Sequence, residues 1–334
     1  MKKEVIVGID VSKTWLDAHI LYKGTTGTNL RIDNTKAGIL KLCKWIEKST
    51  NVPSTQWLFC MEHTGLYSYQ LNSFLQNRSI YQTMVNPLAI KKSMGIIRGK
   101  SDKADARVIA CYAARFQDGL KEFTLPSKSL QKLKILLSQR ERMVDMKRQI
   151  DLSMQSFEEL PQELTREIAA QNKKLKLHFK RNIELLDETI SQTVKEDQLL
   201  KDQSKKIQSV PGVGPQIAVH ILVTTQAMTQ FKTSRQYACY CGVAPFEYSS
   251  GSSYRSKTKV HYLANRKMKT LFHMAAMSVL TSDGEMKVYY NRKLAEGKNA
   301  MSVINAIRFK IIDRVFAVVK RNECYDKKYL KQAA

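Results

Sequence analysis

The sequence predicts a protein of three parts: an α/β domain over residues 1–125, a helical segment over residues 126–205, and a mostly α-helical domain over residues 206–334. Three patterns lead to this prediction. Short apolar runs alternate with helix-like segments in the first part, apolar residues recur at heptad spacing in the second, and helical periodicity dominates the basic third part. We therefore expect a sheet flanked by helices, followed by two helical parts.

The N-terminal part begins with three strand-like runs. The first, EVIVGIDVSK, is rich in β-branched residues and contains Asp10 near its end, as is typical of a central strand. The runs TWLDAHILYK and NLRIDNT follow, separated by the turn-like KGTTGT, and predict an antiparallel meander. Helical spacing in AGILKLCKWIEK, LYSYQLNSFLQN and SDKADARVIACYAARF then alternates with the strand-like QWLFCME and IYQTMVN.

The middle part carries a helical repeat. Leu136, Met143, Ile150 and Phe157 stand seven residues apart, and Pro161 interrupts the pattern. Beyond it, apolar residues from 175 to 194 recur at steps of three and four, with charges of both signs on the other faces. This pattern predicts two long amphipathic helices forming an antiparallel hairpin or a coiled-coil arm, and an ordinary helical subdomain is the alternative.

The composition favours a polyanionic partner. Lys and Arg number 55 against 30 Asp and Glu, a formal net charge of +25. The charge is concentrated in residues 206–334, where 21 basic and 7 acidic residues give a net charge of +14. An excess of this size is typical of nucleic-acid-binding proteins, so we expect this part to bind DNA or RNA.

The sequence also bears on the compartment. No apolar run is long enough to span a bilayer, and Glu4 and Asp10 interrupt the apolar N-terminus, which indicates a first strand and not a signal peptide. The six cysteines include no CxxC pair, so reduced thiols and no structural zinc are expected. We predict a cytoplasmic, nucleoid-associated protein without a membrane partner.

Four acids have an arrangement suited to metal binding. Asp10 and Glu62 end two strand-like runs, and Asp102 and Asp105 stand three residues apart near a helix start, where they share one face. In a ribonuclease-H-type fold such carboxylates meet at one edge of the sheet and can hold two Mg²⁺ ions for phosphodiester chemistry. Taken singly, each acid could instead be a turn, surface or helix-capping residue.

The motifs together resemble a known family. GIDVSK, EHTGLY and VNPLAIKKSMGIIRGKSDKADA, followed by SVPGVGPQIA, CGVAPFEYSSG and EGKNAMSVINAIRFKI, resemble the DEDD transposases of bacterial insertion sequences. That family has a RuvC-like N-terminal domain and a C-terminal transposase domain, is related to the Piv-type DNA invertases, and is described as bridge-RNA-guided recombinases. The resemblance covers nearly the whole chain, although the middle helices match only in character.

The resemblance implies a mechanism. Asp10, Glu62, Asp102 and Asp105 would bind Mg²⁺, with Mn²⁺ as an alternative ion, and Ser250 would be the nucleophile that forms a phosphoserine link to DNA. An RNA encoded by the element would pair with donor and target DNA. A dimer or tetramer would combine the acids of one subunit with the serine of another. Ser249 is the alternative nucleophile because it directly precedes Ser250.

The C-terminal part supplies candidate phosphate contacts. VPGVGPQIA resembles a helix–hairpin–helix turn, whose glycines let backbone N–H groups approach phosphate. The family's usual Gly-Asn and Leu-Arg pairs are here Ala264-Asn265 and Met268-Lys269, a departure from its pattern. The predicted nucleic-acid-binding residues are Gly212, Gly214, Arg255, Lys257, Lys259, Arg266 and Lys267.

Two other functions fit the same features. A RuvC-like nuclease or junction resolvase would use metal-activated water in place of Ser250. A nucleic-acid-binding protein without catalytic activity would need only the basic surface. The four ordered acids favour an enzyme over the second alternative.

Overall fold

The computed structural model describes residues 2–23, 27–63, 65–93, 95, 102–250 and 254–326, with the backbone alone for 247–250 and 254–259. The chain divides into two compact units, Met1–Leu125 and Pro126–Ala334. Within the described ranges, no helix is both long and apolar enough to cross a membrane.

The first unit is built on a five-stranded mixed sheet. Strands β1 to β3 form the antiparallel meander predicted from the sequence, and β1, β4 and β5 run parallel, in the spatial order β3-β2-β1-β4-β5. This architecture confirms the α/β class predicted for the N-terminal part. The strands are β1 (Val5–Val11), β2 (Trp15–Tyr22), β3 (Asn29–Asp33), β4 (Trp57–Glu62) and β5 (Tyr81–Val85).

Helices cover both faces of this sheet. The alternate residues Val5, Val7 and Ile9 of β1 join the core formed with helices α1 and α2, whereas Ile6 packs with helix α4 on the opposite face. Each face of β1 is thus buried, which explains why its sequence is a nearly continuous apolar run. The helices are α1 (Lys36–Thr50), α2 (Tyr69–Asn77), α3 (Pro87–Ser93) and α4 (Asp102–Arg115).

The second unit begins with a helical hairpin. Helices α5 (Lys128–Gln155) and α6 (Gln162–Glu196) are joined by a short connection that contains Pro161. Arg140 binds Asp187 at 2.5 Å, and Lys176 binds Asp151 at 2.5 Å. Moving forward along α5 therefore means moving backward along α6, so the two helices are antiparallel.

The rest of the second unit is mostly helical, as predicted, and surrounds one apolar core. Tyr237 lies at its centre, fully buried, with Phe272 and Phe316 against its ring. The helices are α7 (Gln198–Gln208), α8 (Pro215–Thr224), α9 (Ser234–Tyr240), α10 (Arg266–Thr281), α11 (Glu285–Ala295) and α12 (Ala300–Arg321).

A two-stranded antiparallel sheet interrupts the helical character predicted for this part. Strands β6 (Phe246–Ser250) and β7 (Tyr254–Lys259) pair with each other, with an irregularity between Phe246 and Tyr248. The sequence does not indicate these strands, because serine and glycine favour turns and give no alternating apolar pattern.

Candidate active site

The strand register places Asp10 beside Glu62. The last residue pair between the parallel strands β1 and β4 is Ile9 with Met61. Asp10 directly follows Ile9, and Glu62 directly follows Met61. Asp10 also lies opposite Asp17 of β2. Because opposing residues of neighbouring strands lie on the same face of a sheet, the three acids form a row across β2, β1 and β4.

Helix α4 brings the other two acids to this face. A side chain at Gly8 would place its Cβ 2.3 Å from the carbonyl oxygen of Ala106 and 2.4 Å from the amide nitrogen of Ala110, so only glycine allows α4 to approach β1 this closely. Gly8 and Asp10 lie on one face of β1 because they are two residues apart. The helix starts at Asp102 with Asp105 in its first turn, so its acidic end lies near Asp10.

The electrostatics of Asp10 reflect this convergence. Burial raises the pKa of Asp10 above its usual value, and the charges of Asp105, Asp102 and Asp17 raise that pKa further. A hydrogen bond from the backbone of Val11 acts in the opposite direction but is a smaller effect. Three other carboxylates are therefore close enough to disfavour the ionised form of Asp10, as expected where acids are gathered to bind a cation.

An arginine that the sequence analysis did not single out binds two of these acids. The guanidinium of Arg31 donates from Nε and Nη2 to both carboxylate oxygens of Asp17, and from Nη2 to Asp102 at 2.6 Å. Asp17 is buried, whereas Arg31 and Asp102 are partly exposed. In the sequence, the only sign of this contact is that Asp17 and Arg31 lie in two successive strand-like runs. Their pairing depends on the β2–β3 register.

The carboxylates of the acid cluster are the kind of ligand that a divalent cation binds, but the described side chains do not form a coordination geometry. Carboxylate oxygens are the ligands that Mg²⁺ prefers. The guanidinium of Arg31 lies against Asp17 and Asp102, and its positive charge opposes a cation beside them. Among the residues that the structure describes, no three His, Cys, Asp or Glu side chains are arranged to hold a metal ion.

The predicted nucleophile lies at the end of a β-hairpin. Ser250 is the last residue of β6 and pairs with Tyr254, while Ser249 pairs with Arg255. Gly251 and the two serines after it lie outside the described residues. The backbone thus places both candidate serines next to the turn of the hairpin.

The loop before this hairpin is held by the helices around it. The side-chain amide of Asn305 on α12 donates to the carbonyl oxygen of Val243 at 2.6 Å. Asn265, the N-cap of α10, donates from its backbone to the carbonyl of Tyr240 at 2.8 Å and from its side chain to the hydroxyl of that tyrosine at 2.8 Å. These hydrogen bonds hold the chain in place before β6, at Val243, and after β7, at Asn265.

The predicted basic residues lie close to the hairpin in the chain. Arg255, Lys257 and Lys259 occupy alternate positions of β7. Arg266 and Lys267 are exposed in the first turn of α10, and the ammonium of Lys267 lies 3.4 Å from a carboxylate oxygen of Glu141. Lys267 is thus partly neutralised within the protein.

Helices α7 and α8 pack against each other on either side of the turn that contains Gly212 and Gly214. Gly212 has a φ of +84°, and a Cβ there would lie 2.4 Å from Val279 and 2.5 Å from the carbonyl of Ala275. Gly214 precedes α8 and has open space around it. Gly212 is therefore required for packing on α10, whereas Gly214 borders an open depression of about 440 Å³ on the turn.

The predicted site residues fall into two groups. Asp10, Glu62, Asp102 and Asp105 lie in the first unit and converge near the ends of β1, β4 and the start of α4. The serines, the glycines of the hairpin turn and the basic residues lie in the second unit.

The sequence matches transposase family models over most of its length. Residues 7–157 match the DEDD transposase model of IS110, described as Transposase. Residues 204–291 match the model described as Transposase IS116/IS110/IS902 family. Together these two segments make up well over half of the chain.

The chain is also similar to individual proteins, of which two relatives and one solved structure follow. The chain is 28% identical over 328 residues to the pilin gene-inverting protein of Moraxella bovis, covering 96% of this chain and 98% of that protein. It is 30% identical over 123 residues to the uncharacterized 43.6 kDa protein of insertion element IS110 from Streptomyces coelicolor, covering 37% of this chain and 30% of that protein. Thermus thermophilus RuvC bound to a Holliday junction aligns with 36% of this chain and 99% of its own at 12% identity, with a TM-score of 0.27.

Proposed function

The chain belongs to the IS116/IS110/IS902 family of transposases, and we propose that it cleaves and rejoins DNA through a phosphoserine intermediate at Ser250 under the guidance of an RNA. Its membership makes it a DNA transposase or recombinase that depends on a divalent metal. The observation that carries the metal-dependent part of the proposal is the convergence of Asp10, Glu62, Asp102 and Asp105 near one edge of the sheet. The choice of Mg²⁺, the serine and the RNA are parts of the proposal.

The four carboxylates would hold Mg²⁺, with Mn²⁺ as a substitute. A bound ion would offset negative charge at the scissile phosphate and favour the ionised form of an attacking hydroxyl. Asp10 and Glu62 provide fixed oxygens on neighbouring strands, and Asp102 and Asp105 provide oxygens from the first turn of α4. Two of the four ligands would thus lie on paired strands, and the other two would lie in the first turn of a helix.

Ser250 would exchange one phosphodiester for another. Its Oγ attacks the phosphorus and loses its proton, while the bond to the DNA 3′-oxygen breaks and that oxygen becomes a hydroxyl. A 3′-hydroxyl from the exchanged strand then attacks the phosphoserine and restores the serine. The position of Ser250 at the end of β6 supports this role, as do the basic residues of β7. Because bond energy is conserved, the reaction needs no ATP.

A guide RNA and DNA would bind the basic second unit. Residues 206–334 carry a net charge of +14, and positive charge concentrated in one part of a chain attracts polyanions. The exposed Arg266 and the open turn at Gly214 support phosphate contacts there. Purified protein should therefore carry a discrete structured RNA from the flanks of its element. Recovery of only random cellular RNA would contradict guidance.

The helical hairpin of α5 and α6 would join copies of the protein. Leu152, Leu160, Leu164 and Ile168 near its end are all exposed, and Leu164 is 71% exposed. Exposed apolar side chains in a cluster commonly mark an interaction site. We propose a dimer or tetramer, in which Leu164→Glu should lower the mass measured by light scattering. An unchanged mass would contradict this role of the hairpin.

A metal-dependent nuclease using water is the second candidate function. The acid cluster alone would suffice for it, and the row formed by Asp10 and Glu62 supports it as well as it supports the serine mechanism. The two candidates differ in whether protein becomes linked to DNA.

DNA cleavage in Mg²⁺ tests the metal half of the proposal. Asp10→Asn should reduce cleavage by at least about a hundredfold because it removes a central ligand. Asp118→Asn is the matched control, since Asp118 is an exposed acid of the same unit paired with Lys2. Cleavage that survives Asp10→Asn would exclude the acid cluster as the catalytic site.

A further inference from the structure

We propose that Arg31 is a positioning residue that holds Asp102 before metal binds and releases it when metal binds. This inference rests on the proposed metal site and describes how that site is assembled. Its basis is the bridge that one guanidinium makes between a buried acid of the sheet and an exposed acid of α4.

The two contacts of Arg31 differ in kind. Asp17 receives three hydrogen bonds of 2.8–3.1 Å, which involve both of its carboxylate oxygens. Its side chain is 7% exposed, so its charge needs a partner inside the protein. From the described residues, Asp102 receives a hydrogen bond of 2.6 Å from Arg31, and it is 62% exposed, so water can replace that partner at little cost. Arg31 is therefore fixed to Asp17 and only loosely bound to Asp102.

The sheet register explains why Arg31 is placed here. Arg31 lies opposite Asp17 on β3 and β2, and Asp17 lies opposite Asp10 on β2 and β1. The guanidinium thus ends the same row of side chains that contains Asp10 and Glu62. It draws Asp102 toward the Asp17 end of the row, whereas a metal would need Asp102 at the Asp10 end.

The competition follows from the charges. A carboxylate of Asp102 that is bound to the guanidinium has one fewer oxygen for a metal, and the positive charge beside it repels a second cation. The bridge also keeps the first turn of α4 close to the sheet before metal arrives.

The test measures Mn²⁺ affinity directly, by calorimetry or by electron paramagnetic resonance of free Mn²⁺, on the full-length protein without DNA. Arg31→Gln should tighten Mn²⁺ binding by about two- to fivefold, the range expected for losing a competing partly exposed ion pair. In an Asp102→Asn background the same change should have much less effect. This dependence on Asp102 separates competition from a general loss of positive charge.

Two further variants keep the test decisive. Arg31→Lys keeps a cation beside the buried Asp17 if Arg31→Gln does not fold, and it should change affinity in the same direction by a smaller factor. Arg78→Gln is the charge-matched control, because Arg78 precedes β5 at the end of the sheet away from Glu62 and packs on Phe74. It should leave Mn²⁺ affinity unchanged.

The outcomes separate this inference from the proposed function. If wild-type binding of Mn²⁺ is lost in Asp10→Asn but the Arg31 variants bind as weakly as wild type or more weakly, the inference is overturned and the metal site stands. An effect of Arg31→Gln that is equally large with Asp102→Asn also overturns it. If Asp10→Asn does not alter Mn²⁺ binding, the metal site fails and the inference fails with it.

Discussion

Asp10 and Asp17 lie directly opposite one another on β1 and β2, so two carboxylates occupy one cross-strand position on the same face of the sheet. Like charges in such a position destabilise a sheet. Arg31 on β3, the strand on the other side of β2, neutralises Asp17 through a bidentate ion pair. Among the residues that the structure describes, none forms such an ion pair with Asp10, and burial and the neighbouring acids raise its pKa.

Replacement of Asp10 should stabilise the metal-free protein. Because the folded-state pKa of Asp10 is raised, its ionised form costs stability, and this cost appears as pH rises above the ordinary carboxyl range. Asp10→Asn should increase the free energy of unfolding by up to about 1 kcal/mol at pH 7 in EDTA. Urea unfolding measures it, and the gain should shrink toward pH 3.5. A less stable variant at pH 7 would contradict the electrostatic account.

Gly8 should be indispensable for the contact between β1 and α4. A Cβ at this position would meet the backbone of Ala106 and Ala110, which cannot move without shifting the whole helix. Gly8→Ala should therefore cost about 1–3 kcal/mol of stability and weaken Mn²⁺ binding through Asp102 and Asp105. Gly119→Ala is the control, since a Cβ there has no neighbour within 4 Å. Equal melting temperatures for both variants would contradict this packing.

His220 should make the second unit sensitive to acid. Burial, with smaller effects from the charges of Lys267 and Arg140, lowers the pKa of His220 to about 4. A carboxylate oxygen of Glu141 lies 3.6 Å from its Nε2, but Glu141 also pairs with Lys267, so burial prevails and the imidazole is neutral at pH 7.

Because the pKa of His220 is lower in the folded state than in the unfolded state, the protein loses stability as pH falls. Stability from neutral His220 is complete above its unfolded pKa of about 6.5 and is lost as pH falls toward 4. Between pH 7.5 and pH 5, wild type should lose roughly 2 kcal/mol more than His220→Gln in urea unfolding. Parallel pH profiles for the two proteins would show that His220 does not control this loss.

Local patterns in the sequence were sufficient to predict most of the elements. The apolar run around Ile6 and Ile9 predicted a central strand, and Pro161 marked the break between two long helices. These features depend on residues close in sequence, where periodicity and backbone restrictions act directly. The same local rules placed Asp10 and Glu62 at strand ends.

Contacts between distant segments could not be predicted in the same way. The bridge from Arg31 to Asp102 joins residues 71 apart, and it requires both the β2–β3 register and the docking of α4 on Gly8. Gly212 was predicted as a phosphate contact, but its packing against Val279 depends on where α10 lies. Its role toward phosphate stays a prediction.

We propose that Ser250, and not water, attacks the DNA. The most direct measurement is mass spectrometry of protein–DNA adducts trapped by denaturing a reaction that contains Mg²⁺, the co-purified RNA and DNA of the element's ends. We expect a DNA-linked peptide with the modification on Ser250, lost in Ser250→Ala and kept in Ser249→Ala. Full cleavage by Ser250→Ala without any adduct, or an adduct on Ser249, would contradict this role of Ser250.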